Sequence, residues 1–132
     1  MKILTFGVFD YFHYGHLKLF EQAKEYGDYL IVAVQNGDKI NEFKPEAKVL
    51  YSTEQRVEMI RSLRIVDEVI TYDAVDKDIQ HISFDILALG EDHTGERFVR
   101  AAAFCEANGK SVVRLHRTPG VSSSDIKKNI NI

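Results

Sequence analysis

The sequence has few of the features that mark secreted, zinc-binding or membrane proteins. Cys105 is the only cysteine among 132 residues, so the chain can form no internal disulfide and lacks a cysteine set for zinc. No apolar run approaches the roughly 18 residues that a membrane helix needs. The first residues turn polar too early for a signal peptide. The 17 basic and 20 acidic residues offer no broad basic surface for nucleic acid. We therefore expect a cytoplasmic protein that binds neither membrane nor nucleic acid.

What the sequence does contain is an alternation of short apolar runs and amphipathic segments. Five β-type runs are predicted at 3–6, 29–34, 66–70, 85–90 and 111–115. The segments between them carry helical spacing or capping signals, such as Ser52 with Gln55 three residues later, and a last short helix is predicted from about residue 122. This alternation predicts an α/β protein with a doubly wound, parallel, five-stranded sheet in a single domain.

The carboxyl ends of the predicted strands are the expected place for a ligand. The segment after the first strand, residues 7–16, contains the string GVFDYFHYGH and places His13 and His16 at the start of a helix. A helix N-terminus attracts phosphate, and imidazole N–H groups can donate hydrogen bonds to phosphate oxygens. Two alternatives stay open for these histidines. One is a metal site, although no third ligand lies nearby in the sequence, and the other is an ordinary polar turn.

Two strings resemble those of a known family. Residues 7–16 resemble the GxFDxxHxGH signature of the cytidylyltransferase-like nucleotidyltransferases, and residues 117–124, RTPGVSSS, resemble the RTxGISTT segment of the cytidylyltransferases among them. In length, strand order and motif positions the chain is similar to the bacterial glycerol-3-phosphate cytidylyltransferases. The resemblance implies one Rossmann-like domain over residues 1–132 and a homodimer. It also implies transfer of CMP from CTP, accompanied by Mg²⁺, to a small phosphorylated alcohol, most simply sn-glycerol 3-phosphate.

The second string also favours phosphate binding on physical grounds. Arg117 follows the fifth predicted strand, and the serines at 122–124 can cap the helix predicted after them. A fixed cation and a helix N-terminus that converge on one place suit a triphosphate. The alternative is a plain capped helix with a solvated Arg117.

The resemblance implies roles for individual residues. Catalysis is assigned to His13, His16, Lys44 and Arg117. Nucleotide binding is assigned to Val8, Phe9, His13, His16, Asp92, Arg117, Thr118, Gly120, Val121, Ser122 and Ser123. Binding of the phosphorylated acceptor is assigned to Asp10, Lys44, Lys48 and Arg56. No residue is assigned as a metal ligand, because Mg²⁺ is implied by the triphosphate chemistry alone.

The sequence departs from the family pattern in three respects. Val8 stands where relatives commonly have threonine, so a hydroxyl contact to phosphate is lost. His93 stands where relatives carry tryptophan, which puts base stacking at that point in doubt. Lys44 and Lys48 are four residues apart instead of two, which weakens the assignment of Lys48.

Two residues are interpreted from their place in the predicted helices. Arg56 lies in the first turn of a helix, where a cation opposes the helix dipole, and a bound anion would resolve that conflict. Cys105 lies on an apolar stripe with Phe98 and Ala101, so it is expected in the core and not in the chemistry.

Three alternatives to this function stay open. The acceptor is another phosphate ester, such as phosphoethanolamine or a pentitol phosphate. The donor is ATP, since adenylyltransferases of the same superfamily also have a histidine pair, although the RTPG string favours the cytidylyl branch. The chain is a non-catalytic nucleotide-binding module, against which the complete histidine pair argues, because a binder needs no transition-state donors.

Overall fold

The computed structural model describes residues 1–38, 40, 49–91 and 93–116. The strands are β1 (Lys2–Gly7), β2 (Tyr29–Gln35), β3 (Glu68–Tyr72), β4 (Ile86–Gly90) and β5 (Ser111–Leu115). The helices bounded within these ranges are α1 (Tyr14–Lys24), α2 (Thr53–Arg61), α3 (Val75–Asp78) and α4 (Glu96–Ala107), with a 3₁₀ helix at Ile79–His81. In this part of the chain, no helix has the length and apolar character to cross a bilayer.

The strands form one parallel sheet in the order β3-β2-β1-β4-β5. β1 lies at the centre, paired with β2 on one side and with β4 on the other. The chain moves outward from β1 to β3 on one side and from β4 to β5 on the other, so its direction reverses between β1 and β4. The predicted doubly wound, parallel sheet is confirmed, and the reversal marks the crevice where such sheets bind ligands.

Apolar cores cover both faces of the sheet. On one face, Phe20 of α1 and Ile60 of α2 pack against the inner strands. On the other face, Val75 of α3 and Cys105 of α4 do the same. Because each face is covered, the central strands are buried on both sides, which explains their nearly continuous apolar runs. The expectation that Cys105 belongs to the core is confirmed, since its side chain is fully buried.

The start and end of β3 differ from the prediction, which placed this strand at 66–70. Asp67 lies just before the strand and connects it to β2. Its carboxylate accepts the Leu30 N–H over 2.8 Å, and its own N–H donates to the Leu30 carbonyl. The pairing then continues to Tyr72, opposite Gln35. Tyr72 is buried with its ring edge-on to Phe6, and this packing accompanies the extension of the strand.

Candidate active site

The loop between β1 and α1, residues 8–13, ends in a cap built from two histidines; it is called the histidine loop below. His13 is the N-cap of α1, and the Gly15 N–H donates to its Nδ1 over 3.0 Å. In return, the His13 N–H donates to Nδ1 of His16 over 3.2 Å. The two imidazoles therefore fill the reciprocal capping positions that Ser or Thr and Glu or Gln usually fill.

This cap determines which nitrogen of each ring carries the proton. Both Nδ1 atoms accept hydrogen bonds, so in the neutral rings the proton lies on Nε2. The rings are also stacked, with centroids 3.9 Å apart and planes 20° apart. His13 and His16 are thus held side by side as Nε2–H donors, an arrangement suited to the oxygens of a phosphate.

His16 is neutral at physiological pH. Burial, together with the neighbouring His13 and His93, lowers its pKa to about 3. Its ring lies edge-on to Phe9 at 5.3 Å and stacks on Phe12 at 5.6 Å. His16 therefore contributes as a hydrogen-bond donor and not as a cation.

The backbone of the histidine loop is strained on both sides of Asp10. Phe9 and Tyr11 have φ angles of 55° and 43°, in the left-handed region that residues other than glycine rarely adopt. The Asp10 carboxylate, nearly buried, accepts the N–H groups of Leu50 (2.6 Å) and Tyr51 (2.9 Å). Asp10 thus ties the histidine loop to the segment before α2. Its assignment to acceptor binding stays a prediction, since these contacts are all within the protein.

Gly7 lets the ring of Phe9 fold back over the end of β1. A Cβ at Gly7 would lie 2.5 Å from Phe9 Cζ, closer than any real contact. Phe9 itself is buried beneath the loop, and it packs edge-on to Phe20 of α1. Its side chain supports the loop, and its assignment to nucleotide binding stays a prediction.

Arg56 differs from the expectation drawn from the sequence. Its side chain is fully buried, and its guanidinium donates to the carbonyls of Val8 (2.9 Å), Gln35 (2.8 Å) and Tyr51 (3.2 Å). The guanidinium thus has hydrogen-bond acceptors inside the protein, and these contacts do not themselves require a bound anion. The assignment of Arg56 to acceptor binding stays a prediction. The hydrogen bond that Val8 makes to Arg56 uses its backbone carbonyl and not its side chain.

His93 adds a third imidazole just after β4, at the place where the chain direction reverses between β1 and β4. The Gly90 N–H at the end of β4 donates to its Nδ1 over 3.1 Å, and its ring stacks on Phe98 with centroids 4.5 Å apart. The strand β4 pairs with β1, which leads into the histidine loop, and His93 is one of the groups that lower the pKa of His16. The sequence marked His93 only as a lost aromatic residue, but the structure shows a stacked ring at this position. No local sequence pattern gives this proximity, because it depends on the pairing of β1 with β4.

Several assigned residues lie outside the part of the chain that the structure describes. They are Lys44, Lys48, Asp92, Arg117, Thr118, Gly120, Val121, Ser122 and Ser123. The helix predicted from about residue 122 lies there too. Their roles stay predictions.

Comparison with known proteins supplies the family. The model of the cytidylyltransferase-like family matches residues 4–129. The chain belongs to this family. Glycerol-3-phosphate cytidylyltransferase of Bacillus subtilis (strain 168) is 38% identical over an alignment of 132 positions, which covers 98% of this chain and 96% of that protein. An FAD synthase of Picrophilus torridus is 34% identical over an alignment of 135 positions, which covers 98% of this chain and 96% of that protein.

A solved structure agrees with the fold. The crystal structure of the lipopolysaccharide core biosynthesis protein from Thermoplasma volcanium GSS1 superposes with a TM-score of 0.71 at 22% identity, covering 89% of this chain and 96% of that one. The family membership and the named relatives make the chain a nucleotidyltransferase. The resemblance found in the sequence is confirmed, and an enzyme is favoured over a non-catalytic module.

Proposed function

We propose that the chain transfers CMP from CTP to a small phosphorylated alcohol, with sn-glycerol 3-phosphate as the first candidate, giving CDP-glycerol and pyrophosphate. The observation that carries the proposal is the stacked pair of Nε2–H donors, His13 and His16, at the start of α1. The identity of 38% to a glycerol-3-phosphate cytidylyltransferase over nearly the whole chain supports this donor and acceptor.

The chemistry needs no nucleophile from the protein. A phosphate oxygen of the acceptor attacks the α-phosphorus of CTP in line, a new P–O bond forms, and the bond from the α-phosphorus to the bridging oxygen breaks. The electron pair of that bond leaves with pyrophosphate. Negative charge grows on the phosphate oxygens during this step, and the Nε2–H groups of His13 and His16 donate to them. Because His16 is neutral, it stabilises charge by hydrogen bonding without giving up a proton.

Mg²⁺ enters this proposal with the substrate, as the magnesium complex of CTP. Among the described residues, no group of three His, Cys, Asp or Glu side chains gathers around one point. The Asp10 carboxylate near the site already accepts two backbone N–H groups, and imidazole nitrogen is a poor ligand for a cation that prefers oxygen. The described residues therefore do not fit a Mg²⁺ ion held by the protein.

The remaining roles follow the family resemblance. We assign Lys44, Arg117 and the start of the helix predicted from about residue 122 to the β- and γ-phosphates, and Asp92 to the nucleoside. We also expect a homodimer in the cytoplasm, where CTP is available.

Adenylyl transfer is the second candidate, favoured by the 34% identity to an FAD synthase, whose product contains an adenylyl group. A direct test incubates the protein and Mg²⁺ with CTP or ATP and, in separate reactions, glycerol 3-phosphate, phosphoethanolamine, a pentitol phosphate or FMN. Pyrophosphate and the nucleotide-linked product are measured. We expect CDP-glycerol with CTP and glycerol 3-phosphate. Product from CTP with a different acceptor would overturn the acceptor alone, whereas product only from ATP would overturn the donor as well.

Two lysine variants refine the acceptor assignment. Lys44→Ala is expected to raise the KM for at least one phosphorylated substrate, because it removes a cation opposite a phosphate. Lys48→Ala is expected to raise it less, because its spacing departs from the family pattern. Equal KM values in the wild type and Lys44→Ala would remove Lys44 from the site.

A further inference from the structure

Arg56 is the largest fully buried side chain among the described residues, and it connects three separate parts of the chain. Nη1 donates to Val8 O in the histidine loop and to Gln35 O at the end of β2, over 2.9 and 2.8 Å. Nε donates to Tyr51 O, just before α2, over 3.2 Å. One guanidinium therefore joins the carboxyl ends of β1 and β2 to the start of α2.

These contacts bracket the segment 36–50, which contains the predicted phosphate-binding lysines. Gln35 precedes the segment and Tyr51 follows it. A further link lies at Thr53, whose Oγ1 accepts the Gly37 N–H (2.8 Å) and a hydrogen bond from Arg56 Nη2 (3.2 Å). Both ends of the segment are thereby fixed relative to the histidine loop.

A buried cation is costly, so its retention calls for a reason. Burial lowers the pKa of Arg56, and the negative charge of Asp10 works in the opposite direction. The planar guanidinium supplies five N–H donors in a fixed arrangement, which a lysine ammonium cannot reproduce. The feature that needs arginine here is thus the direction of several hydrogen bonds and not the charge alone.

We propose that Arg56 is a positioning residue for nucleotidyl transfer. It aligns the histidine loop with both ends of segment 36–50 and does not bind substrate phosphate. The turnover part of this proposal rests on the proposed function, while the alignment itself does not.

The kinetic test compares Arg56→Lys with the wild type and with Arg61→Gln, a control at an exposed position of the same helix. Misalignment of the reacting groups is expected to lower kcat by about 10-fold or more, with KM values for both substrates changed by less than about threefold. Arg61→Gln is expected to keep both constants. A higher KM with kcat intact would show a phosphate ligand and overturn the proposal.

Thr53→Val provides a milder variant if Arg56→Lys folds poorly. It removes the hydroxyl between Gly37 and Arg56 and keeps the guanidinium. We expect a smaller loss of kcat in the same direction, with KM again nearly constant. A folded Thr53→Val protein with wild-type kcat would contradict the proposed link between segment 36–50 and the histidine loop.

A readout without substrate separates this proposal from the proposed function. Histidine ring signals of His13 and His16 are recorded by NMR in the substrate-free proteins, with thermal unfolding measured alongside. We expect those signals to shift in Arg56→Lys and to stay in place in Arg61→Gln. Unmoved signals in a folded Arg56→Lys protein would overturn the positioning role. Absence of product from wild-type protein with CTP or ATP would instead overturn the proposed function.

Discussion

His13 and His16 cap α1 with one nitrogen of each ring and present the other nitrogen as a donor. The Nδ1 atoms accept the N–H groups of Gly15 and His13, and the ring centroids lie 3.9 Å apart. Because the cap fixes the tautomer and the orientation of each imidazole, the start of the helix and the direction of the Nε2–H groups are determined together. Variants that remove the Nε2–H donor but keep the capping hydrogen bond therefore test the mechanism.

Replacing His16 tests its role as a transition-state donor. We expect His16→Ala to lower kcat by about 10² to 10⁴, with a smaller effect on CTP binding, because the donor acts on charge that develops during the reaction. His16→Asn is the matched variant, since its side-chain oxygen can still accept the His13 N–H while the Nε2–H donor is lost. Steady-state kinetics and CTP titration measure the two effects.

The expected result is that both variants lose kcat and that only His16→Ala also loses helix-cap stability, measured by urea unfolding. Near-normal turnover in His16→Asn would exclude the Nε2–H donor from the mechanism.

The buried His16 also predicts how stability depends on pH. Its pKa falls from 6.5 to about 3 on folding, so the unfolded chain binds the proton more readily than the folded protein. The contribution of neutral His16 to stability is complete above about pH 6.5 and is lost as the pH falls toward 3. The free energy of unfolding is therefore expected to decrease on acidification, and to decrease less steeply in His16→Asn.

Urea unfolding at several pH values between 7 and 4 measures this difference, and NMR titration of the His16 ring gives its pKa in the folded protein directly. The same pH slope in both proteins, or a His16 ring that titrates near 6.5, would contradict the prediction.

Sequence patterns predicted the fold well because each pattern reflects local physics. Buried strands have nearly continuous apolar runs, and the Ser52 and Gln55 capping box begins α2 as predicted, with hydrogen bonds of 3.1 and 3.0 Å. The strand β3 was predicted two residues too early, and its start depends on a distant contact, that of Asp67 with Leu30. A period-two pattern does not contain that information.

The site was predicted in part, for the same physical reason. His13 and His16 lie in one continuous string, so their place at a helix start is visible in the sequence. The partners of Arg56 come from the histidine loop, β2 and the segment before α2, and no local pattern reveals these hydrogen bonds. His93 follows β4, and that strand lies beside β1 through a pairing of residues more than 80 positions apart in the sequence.

Cys105 offers a test of the core. Its side chain is fully buried and burial raises its pKa, so the thiol should be unreactive and outside the chemistry. Cys105→Ser is expected to cost about 1 to 3 kcal/mol of stability, since it buries a hydroxyl, and to leave kcat unchanged well below the unfolding temperature. Cys105→Ala serves as the apolar comparison. An inactive but fully folded Cys105→Ser protein would show that the thiol is functional.

Gly7 tests whether the close packing under the histidine loop matters for turnover. A Cβ there would lie 2.5, 2.8 and 2.9 Å from three atoms of the Phe9 ring, so Gly7→Ala must displace the ring. That ring is buried against Phe20 and lies edge-on to His16, so it cannot move without disturbing both. We expect Gly7→Ala to cost about 1 to 3 kcal/mol, the range for overpacked cores, and to lower kcat.

Gly95→Ala is the matched control for this change. No atom lies within 4 Å of the Cβ position at Gly95, which has an ordinary extended backbone as the N-cap of α4. Its stability should therefore fall only slightly and its kcat should stay at the wild-type value. Urea unfolding and steady-state kinetics measure the stability and the kcat of the two variants. If Gly7→Ala matched Gly95→Ala in both measurements, the Phe9 ring would have room to move, and its packing would not hold His16 in place.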